Sequence, residues 1–492
     1  MKNMLQTFET MSSQLTMYKG MLYGLLSLLI IADILAFFDV IGISPAGLIV
    51  SVLVLSTACY VANYGLAKLF GAATNSESWL ISALILACIL TPRVSWSYVA
   101  FAALAGVIAM ASKYILVWRQ SHIFNPAAVG AFVVSVTGLL SASWWIATPW
   151  LAPITIVLAL IILRKQRKFT MFFVFAVTAL LVMLLMSLGN DKALIDVLKD
   201  TVLSWPLIFL GSVMLTEPIT LPSDKYYQLI VAALVGALFC IQMHVGVISS
   251  APHTVLLVGN LLAAVLVVPF GAWLHITKTR HLAPDILELT FAKPRGLRYK
   301  AGQYMEWTLP HVAADIRGNR RTFSIASAPS QAEVKLVVRI FEKSSSYKKA
   351  LAKLTAGDRI RVANVSGEFT LPASPQKLLF VAGGIGITPF LSMLAQLTVK
   401  KQPFDITLLY MASSKDQFIG KDVFNNAALL GLKTEYTIGK LDTVALQQMV
   451  PDFTERLVYI SGPPVMVDVY KKQLRQAGVS RNRIRTDHFS GY

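Results

Sequence analysis

A glycine-rich stretch, GGIGITP at 383–389, follows an apolar strand pattern at 377–382 and precedes a helical pattern. Glycines let backbone N–H groups approach a pyrophosphate, and a helix N-terminus adds partial positive charge, with Pro389 suited to the first turn. A second loop, YISGPP at 459–464, ends a later strand of the same predicted sheet. Tight turns also use glycine, but two such loops at one carboxyl edge indicate a dinucleotide site.

A second group of residues lies at 320–327, where the sequence is RRTFSIAS. In a strand, Arg321 and Phe323 share a face, and the hydroxyl of Ser324 is adjacent. A cation for a phosphate beside a ring for a flat heterocycle is what a flavin nucleotide needs. The alternative is an amphipathic strand without a ligand, and the glycine loop in the same half of the chain favours the flavin site.

Two kinds of pattern position these residues. Short alternating strands with turn residues run from 276 to 375, which predicts an antiparallel β-barrel domain. Strands then alternate with helices from 376 to 492, which predicts an α/β domain with an open sheet. Two serines and a lysine at 413–415 follow one of its strands, and they could hold a phosphate or form a polar turn.

Residues 1–275 have a different character. The chain of 492 residues is 55% hydrophobic and 14% charged, with a mean hydropathy of +0.61, which places much of it in lipid. Several apolar segments are shorter than the roughly 20 residues that cross a bilayer, which predicts tilted, broken or re-entrant helices. The pattern predicts an α-helical polytopic membrane domain of about ten helices, at 21–43, 46–70, 78–92, 97–117, 127–140, 144–163, 170–188, 203–216, 227–248 and 251–276.

The distribution of charge predicts an orientation. The chain has 44 Lys and Arg against 26 Asp and Glu, and in the second half the two signs are interspersed, which argues against nucleic-acid binding. Basic loops at 164–168 and 275–281 fall on one side of the predicted bundle, and an acidic loop at 189–200 falls on the other. The positive-inside rule then predicts an integral plasma-membrane protein whose C-terminal half is cytosolic.

Residues 276–492 resemble the ferredoxin–NADP reductase superfamily. The motifs AGQY, RTFSIAS, SSSYKKALAKLTAGD, GEFTLP, VAGGIGITPF, SGPP and TDHFSGY occur in the family's order. The resemblance implies an NAD(P)H-dependent flavoprotein oxidoreductase with an FAD-binding barrel and an NAD(P)H-binding domain. Phe323 stands where the family usually has Tyr, and Ser461 where it often has Cys.

The resemblance also implies individual roles. Arg321 would contact the FAD pyrophosphate, Phe323 the flavin, and Ser324 its reactive nitrogen, while the terminal Phe489 and Tyr492 would cover the flavin. The implied catalytic residues are Ser324, Ser461 and Phe489. The residues implied for FAD are Arg321, Thr322, Phe323, Ser324, Ser346 and Tyr347, and those implied for NAD(P)H are Gly383, Gly384, Gly386, Thr388, Pro389, Gly462 and Pro463.

The membrane half carries its own resemblance. The stretches NSESWLISALIL at 75–86, SHIFNPAAVG at 121–130 and MLTEPITLP at 214–222 are similar to the ten-helix family of membrane subunits found in the sodium-pumping NADH:quinone reductase and the Rnf complex. This similarity implies a flavin pocket at FNPAA and TEP, with Asn125 and Thr216 in its wall and Lys113 balancing the charge of a reduced flavin. The alternative is a proline-led helix start that Asn125 caps.

Residue motifs of the membrane half indicate which cofactor would carry electrons there. Relatives attach FMN covalently to a threonine in a loop whose motif is absent around Thr148, so we expect noncovalent FMN or riboflavin. The histidines of the membrane half, His122, His244, His253 and His275, lack paired spacing on two helices, which argues against haem. The three cysteines lie singly in apolar spans, so we expect no metal site.

Together these patterns predict a transmembrane flavin oxidoreductase in contact with membrane lipid. NADH or NADPH would reduce FAD, and electrons would pass through a membrane-domain flavin to a quinone or an extracytosolic electron acceptor protein. One alternative is a quinone or ferric reductase whose helices only anchor it, and another is a redox-regulated transporter. Asp33, inside the first apolar segment, is a candidate ion or proton residue or a structural hydrogen-bonded acid.

Overall fold

A computed structural model describes most of the chain. The described residues are 17–70, 77–118, 121–188, 194–222, 224–241, 243–266, 270–311, 319–342, 344–374, 376–439, 441 and 443–487. The predictions for Phe489 and Tyr492, and the start of the 75–86 motif, lie outside these ranges. The chain divides at residue 270 into an N-terminal and a C-terminal compact unit. The predicted boundary lay at 275.

The N-terminal unit is helical. Four of its described helices are long and apolar enough to cross a membrane, and a fifth span would result if the pair Ile195–Leu203 and Leu207–Met214, bent by 54°, acts as one. The helices are α1 (Met17–Phe37), α2 (Pro45–Leu69), α3 (Ser78–Ile89), α4 (Trp96–Ile115), α5 (Pro126–Val136), α6 (Ala152–Gln166), α7 (Phe169–Ser187), α8 (Leu194–Leu203), α9 (Leu207–Phe209, continued by a π-helical turn Leu210–Met214), α10 (Lys225–Cys240) and α11 (Pro252–Leu266).

Local sequence signals explain where several of these helices begin. Ser44 and Ser95 cap α2 and α4 by accepting backbone N–H groups of the first turn, and Asn125 does the same for α5. Helix α3 is buried from Ile81 to Ile89, whereas α7 exposes an apolar stripe that includes Phe173. An apolar face turned outward suits contact with lipid. Two-stranded hairpins join helices at β1 (Val117–Trp118) with β2 (Ser121–His122), and at β3 (His244–Val245) with β4 (Ile248–Ser249).

Several predicted segments differ from the structure. The helices predicted at 144–163 and 227–248 are shorter, at Ala152–Gln166 and Lys225–Cys240, because turns precede the first and a hairpin follows the second. The acidic stretch at 189–200 was predicted as a loop, but its described part enters helix α8 at Leu194. The apolar run at 251–276 was predicted as one helix, but α11 ends at Leu266 and a strand begins at Gly271. The strand opens with Gly-Ala-Trp-Leu-His-Ile, and its apolar residues extend the hydrophobic run without extending the helix.

The C-terminal unit begins with a six-stranded antiparallel sheet, as predicted. Its strand order is β8-β7-β10-β5-β6-β9. Trp307 and Phe291 are fully buried at its centre, with ring centroids 5.3 Å apart. The strands are β5 (Gly271–Ala283), β6 (Ile286–Ala292), β7 (Tyr304–Thr308), β8 (Arg320–Ser324), β9 (Glu333–Arg339) and β10 (Arg359–Ser366), and the short helix α12 (Ser346–Leu351) precedes β10.

A parallel five-stranded sheet follows, which confirms the predicted α/β pattern. Its order is β13-β12-β11-β14-β15, so β11 lies at the centre between β12 and β14. Phe380, Phe390 and Tyr459 pack together in its core. The strands are β11 (Leu378–Gly383), β12 (Ile406–Ala412), β13 (Leu432–Ile438), β14 (Leu457–Ser461) and β15 (Ile484–Thr486), and the helices are α13 (Thr388–Val399), α14 (Lys421–Ala428), α15 (Thr443–Met449) and α16 (Pro464–Gln476).

Candidate functional site

A cation and an aromatic ring of strand β8 lie near a second aromatic ring on helix α12. Arg321 and Phe323 pair with Trp307 and Met305 of β7, so both lie on the strand face that carries the buried core. The guanidinium carbon of Arg321 lies 5.0 Å from the ring centroid of Tyr347, and the Phe323 ring lies 6.2 Å from it. The structure therefore brings together Arg321, Phe323 and Tyr347, which are distant in sequence.

Tyr347 is held as a neutral, fixed ring. Its hydroxyl donates to the carbonyl of Trp307 at 3.0 Å, and its side chain is fully buried. Burial raises the pKa of Tyr347 far above its ordinary value, although the nearby Arg321 guanidinium lowers it. The adjacent Ser346 hydroxyl lies 2.9 Å from Nε2 of His311, a residue that sequence analysis did not single out.

Thr322 and Ser324 occupy the opposite face of strand β8. Thr322 pairs with Glu306 of β7, and Ser324, which is buried, pairs with Tyr304. Arg320 shares this face and lies 3.4 Å from Glu306. The predicted FAD residues of this strand are thus divided between its two faces, with Arg321 and Phe323 on one side and Thr322 and Ser324 on the other.

Steric requirements explain the glycines of the loop after β11. A Cβ on Gly386 would lie 2.4 Å from the carbonyl oxygen of Ser461, and one on Gly383 would lie 2.0 Å from Sδ of Met466. Gly384 has φ +53°, which favours glycine. The face beside Gly384 is open except for the Arg339 guanidinium, whose Nη1 lies 3.7 Å from the position of a Cβ.

The two predicted loops meet at one edge. Strands β11 and β14 are parallel neighbours, with Ala382 opposite Ser461, so the loop at 383–386 lies beside Gly462. Helix α13 starts immediately after the loop, with Pro389 in its first turn and the Thr388 hydroxyl donating to the Ile385 carbonyl at 3.2 Å. This is the carboxyl edge at which open α/β sheets bind ligands.

Sequence analysis missed two charged residues near this edge. Asp487 accepts the Ser461 hydroxyl through Oδ2 at 3.1 Å, and its backbone N–H donates to the carbonyl of Ile460. Arg339 ends strand β9, and its Nε pairs with Asp285 at 2.6 Å. The signal for Asp487 was its place in the TDHFSGY motif, whereas nothing local distinguishes Arg339 from other strand-end cations.

The turn after β12 carries a charged carboxyl group. A hydrogen bond from Ser414 holds the pKa of Asp416 below its ordinary value of 3.8, and Arg339 acts in the same direction. The predicted phosphate-holding turn at 413–415 therefore has a negative charge beside Lys415.

The N-terminal unit places Asn125 against the residue that follows Thr216. The Asn125 side chain accepts the Ala128 N–H and donates to Glu217 at 2.7 Å, so the FNPAA and TEP motifs touch. Thr216 is fully buried, and its hydroxyl donates to the Ser212 carbonyl. The Lys113 ammonium donates to the carbonyl and hydroxyl of Ser78 at the start of α3, and its role beside a flavin stays a prediction.

Comparison with known proteins gives partial relatives. No family model matches the chain. An NADPH oxidoreductase of Mycobacterium tuberculosis is 30% identical over 203 residues, and the match covers 39% of this chain and 52% of that protein. Ferredoxin–NADP reductase B of Sorangium cellulosum is 28% identical over 248 residues, covering 45% of this chain and 98% of that protein.

A solved structure also resembles part of the chain. The crystal structure of a ferredoxin NADP⁺ reductase from Neisseria gonorrhoeae with bound FAD and NADP is 21% identical, with a TM-score of 0.38. The match covers 44% of this chain and 97% of that one. The chain spans about half the length of the Mycobacterium relative, and less than half of the chain takes part in each of the three matches.

Proposed function

We propose that the chain is an NAD(P)H-dependent flavoprotein oxidoreductase whose C-terminal unit oxidises NADH or NADPH with FAD as its cofactor. The observation that carries this proposal is the meeting of the loop at 383–386 with Ser461 and Gly462 at the carboxyl edge of the parallel sheet. The names of the Mycobacterium and Sorangium relatives, an NADPH oxidoreductase and a ferredoxin–NADP reductase, support it.

The residues of the antiparallel sheet fit a flavin nucleotide. The buried Arg321 guanidinium and the Ser346 hydroxyl would hold the pyrophosphate of FAD, because a planar cation and a hydroxyl donor are suited to phosphate oxygens. Phe323 and Tyr347 supply rings for a flat heterocycle. When bound, FAD supplies hydride acceptance and the release of single electrons.

The chain's own residues would position the nicotinamide coenzyme. Backbone N–H groups at Gly384 and Gly386 and the start of helix α13 would bind its phosphates, with Thr388 and Pro389 shaping that start. Gly383, Gly462 and Pro463 would flank the nicotinamide. Both glycines are required by the fold itself, because a Cβ at either position would collide with Met466. Ser461, fixed by Asp487, would orient it.

Electrons then pass into the N-terminal unit in this proposal. Its long apolar helices support placement in the plasma membrane, with the reductase unit in the cytosol. A noncovalent FMN or riboflavin near FNPAA and TEP would carry electrons to a quinone or to an extracytosolic acceptor protein. The contact between Asn125 and Glu217 supports a common site for the two motifs.

One observation favours a second candidate. The amide and backbone N–H of Asn125 already bind Ala128, Glu217 and Asn260, so Asn125 has a structural task without any flavin. An anchored reductase that delivers electrons directly from FAD to a quinone or ferric acceptor needs no second flavin. In that case the FNPAA motif is a capped helix start.

A cofactor count on the detergent-purified full chain separates these candidates. The protein is denatured, released FAD, FMN and riboflavin are quantified per chain, and the spectrum is inspected for haem. Arg321→Leu is expected to lose FAD and to retain a membrane flavin, which ties each cofactor to its unit. One FAD alone would leave the anchored reductase, and a chain without any flavin would refute the proposed function.

A further inference from the structure

Four polar side chains from three segments meet inside the N-terminal unit. Asn125 Nδ2 donates to Glu217 Oε2 at 2.7 Å, and the backbone N–H of Asn125 donates to Asn260 Oδ1 at 2.9 Å. Asn125 and Asn260 are only 4% and 1% exposed. His122 completes the group, with Nε2 at 3.9 Å from Glu217 Oε1. This group is called the TEP cluster below.

The two asparagines of the TEP cluster have a structural explanation. The chain is not helical just before α5 or at Glu217, and backbone N–H groups in an apolar bundle need partners. Asn125 caps α5, and Asn260 accepts the Asn125 N–H. A neutral glutamine in place of Glu217 would also offer an oxygen that accepts from the Asn125 amide. The carboxyl and imidazole groups are therefore additional to what the backbone requires.

The imidazole of His122 gives the clearest indication that the TEP cluster has a function beyond supporting the backbone. Its Nε2 is buried and has no hydrogen-bond partner among the described residues. The 3.9 Å to Glu217 is an ion-pair separation, longer than a hydrogen bond. A buried polar atom without a partner costs free energy, and such atoms in native proteins often mark sites of chemistry.

We propose that His122 and Glu217 form a proton-donating pair for a quinone that is reduced in the N-terminal unit. This inference rests on the proposed function and names its acceptor. Reducing a quinone to a quinol takes two electrons, which NAD(P)H supplies as hydride through FAD, and two protons. In each protonation an N–H or O–H bond of the pair breaks and a quinol O–H bond forms. The pair then takes two protons from solvent, which receives in exchange the proton of the oxidised hydride, and the net reaction is NAD(P)H + H⁺ + quinone → NAD(P)⁺ + quinol.

Two other titratable groups of the N-terminal unit hydrogen-bond to partners outside the TEP cluster. On α11, His253 lies about two turns from Asn260, and its Nδ1 accepts the indole N–H of Trp144 at 3.3 Å. On α4, the Lys113 ammonium donates to Ser78. The other side chains that bind Glu217 or Asn125 are neutral amides.

The test compares two acceptors on the full chain in detergent. Ferricyanide takes single electrons without protons, whereas the soluble quinone ubiquinone-1 requires both. Glu217→Gln and His122→Gln are expected to slow NAD(P)H-dependent ubiquinone-1 reduction by about 100-fold, the usual contribution of a general acid, and to slow ferricyanide reduction far less. Glu217→Asp, which keeps a carboxyl, should retain most of the quinone activity. Glu77→Gln is the matched control at the other described glutamate of this unit.

A spectroscopic measurement tests the pair independently of turnover. The infrared difference spectrum between oxidised and reduced protein should contain a carboxyl C=O band that Glu217→Gln removes and Glu77→Gln keeps. Persistence of the band in Glu217→Gln, or wild-type quinone rates in both pair variants, would overturn the proposal. So would a wild-type protein that reduces ferricyanide but not ubiquinone-1. Failure of the wild type to reduce ferricyanide would instead overturn the proposed function itself.

Discussion

Adding one methyl group at Gly386 should push the loop at 383–386 away from Ser461 and Gly462 at the carboxyl edge of the parallel sheet. The new Cβ of Gly386→Ala would lie 2.4 and 2.5 Å from the carbonyl atoms of Ser461 and 2.6 Å from the Cα of Gly462. All three are backbone atoms and cannot rotate away. Forcing extra volume into a packed site typically costs about 1–3 kcal/mol, and a site bounded by backbone belongs at the upper end.

Gly383→Ala provides a matched comparison in the same loop. Its Cβ would meet Sδ of Met466 at 2.0 Å, but that atom belongs to a flexible side chain that can move. We therefore expect Gly383→Ala to cost less than Gly386→Ala. Met466→Ala should restore stability to Gly383→Ala and leave Gly386→Ala unrescued.

The assay is thermal unfolding of the full chain followed by tryptophan fluorescence, together with the KM for NAD(P)H. In a unit of this size, each kcal/mol lowers Tm by about 2–4 °C, so Gly386→Ala should lower Tm by roughly 5–10 °C. The KM for NAD(P)H should rise as the loops separate. Equal Tm values for the two alanine variants, or rescue of Gly386→Ala by Met466→Ala, would refute the steric reasoning.

Three further predictions concern the reductase unit. Arg321→Leu should weaken FAD binding by about 10–150-fold, because a charge-assisted hydrogen bond of about 1.5–3 kcal/mol is lost. The loss is measured as the amount of FAD released per chain, and Arg320→Leu is the control that should be less affected. Ser461→Ala should slow FAD reduction by NAD(P)H by about 2–12-fold in stopped-flow absorbance, because a hydrogen bond of 0.5–1.5 kcal/mol to Asp487 is lost; an unchanged rate would contradict its orienting role. The Arg456 and Lys377 side chains lower the pKa of Asp452 from 3.8 to about 2. Because the folded pKa is the lower one, the stabilisation is fully present above pH 3.8 and is lost as the pH falls through about 2. Asp452→Asn should therefore lower Tm slightly at pH 7, and the difference should shrink as the pH is lowered and vanish below about pH 2.

Much of the reductase unit could be predicted because its signals are local. Alternating strands, the change to strand–helix repeats and the paired glycine loops each occupy a short stretch, and parallel neighbours bring strand ends together by geometry alone. Sharing of a face by Arg321 and Phe323 follows in the same way from strand alternation. Which face of strand β8 packs against Tyr347 depends on the position of helix α12, which is remote from β8 in sequence.

What the sequence did not reveal depends on distant partners. Asp487 and Ser461 are 26 residues apart, so no local pattern joins them. Asn125 and Glu217 are 92 residues apart, and a common site for their two motifs was expected only from the resemblance, without the hydrogen bond itself. Lys113 was predicted to lie beside a flavin, and its hydrogen bond to Ser78 was not predicted because it depends on how α4 packs. The end of α11 was misplaced because an apolar strand follows it within a few residues.

The strand order of the parallel sheet has a consequence for biosynthesis. Strand β11 carries the glycine loop at the centre of the sheet, but its neighbour β14 is made only about 80 residues later. At a synthesis rate of roughly 5–20 residues per second, the ribosome needs about 4–16 s to supply that neighbour. During this interval the N-terminal helices have already been synthesised, while β11 still lacks its neighbour β14. The carboxyl edge of the parallel sheet therefore forms only after the whole N-terminal unit has been made.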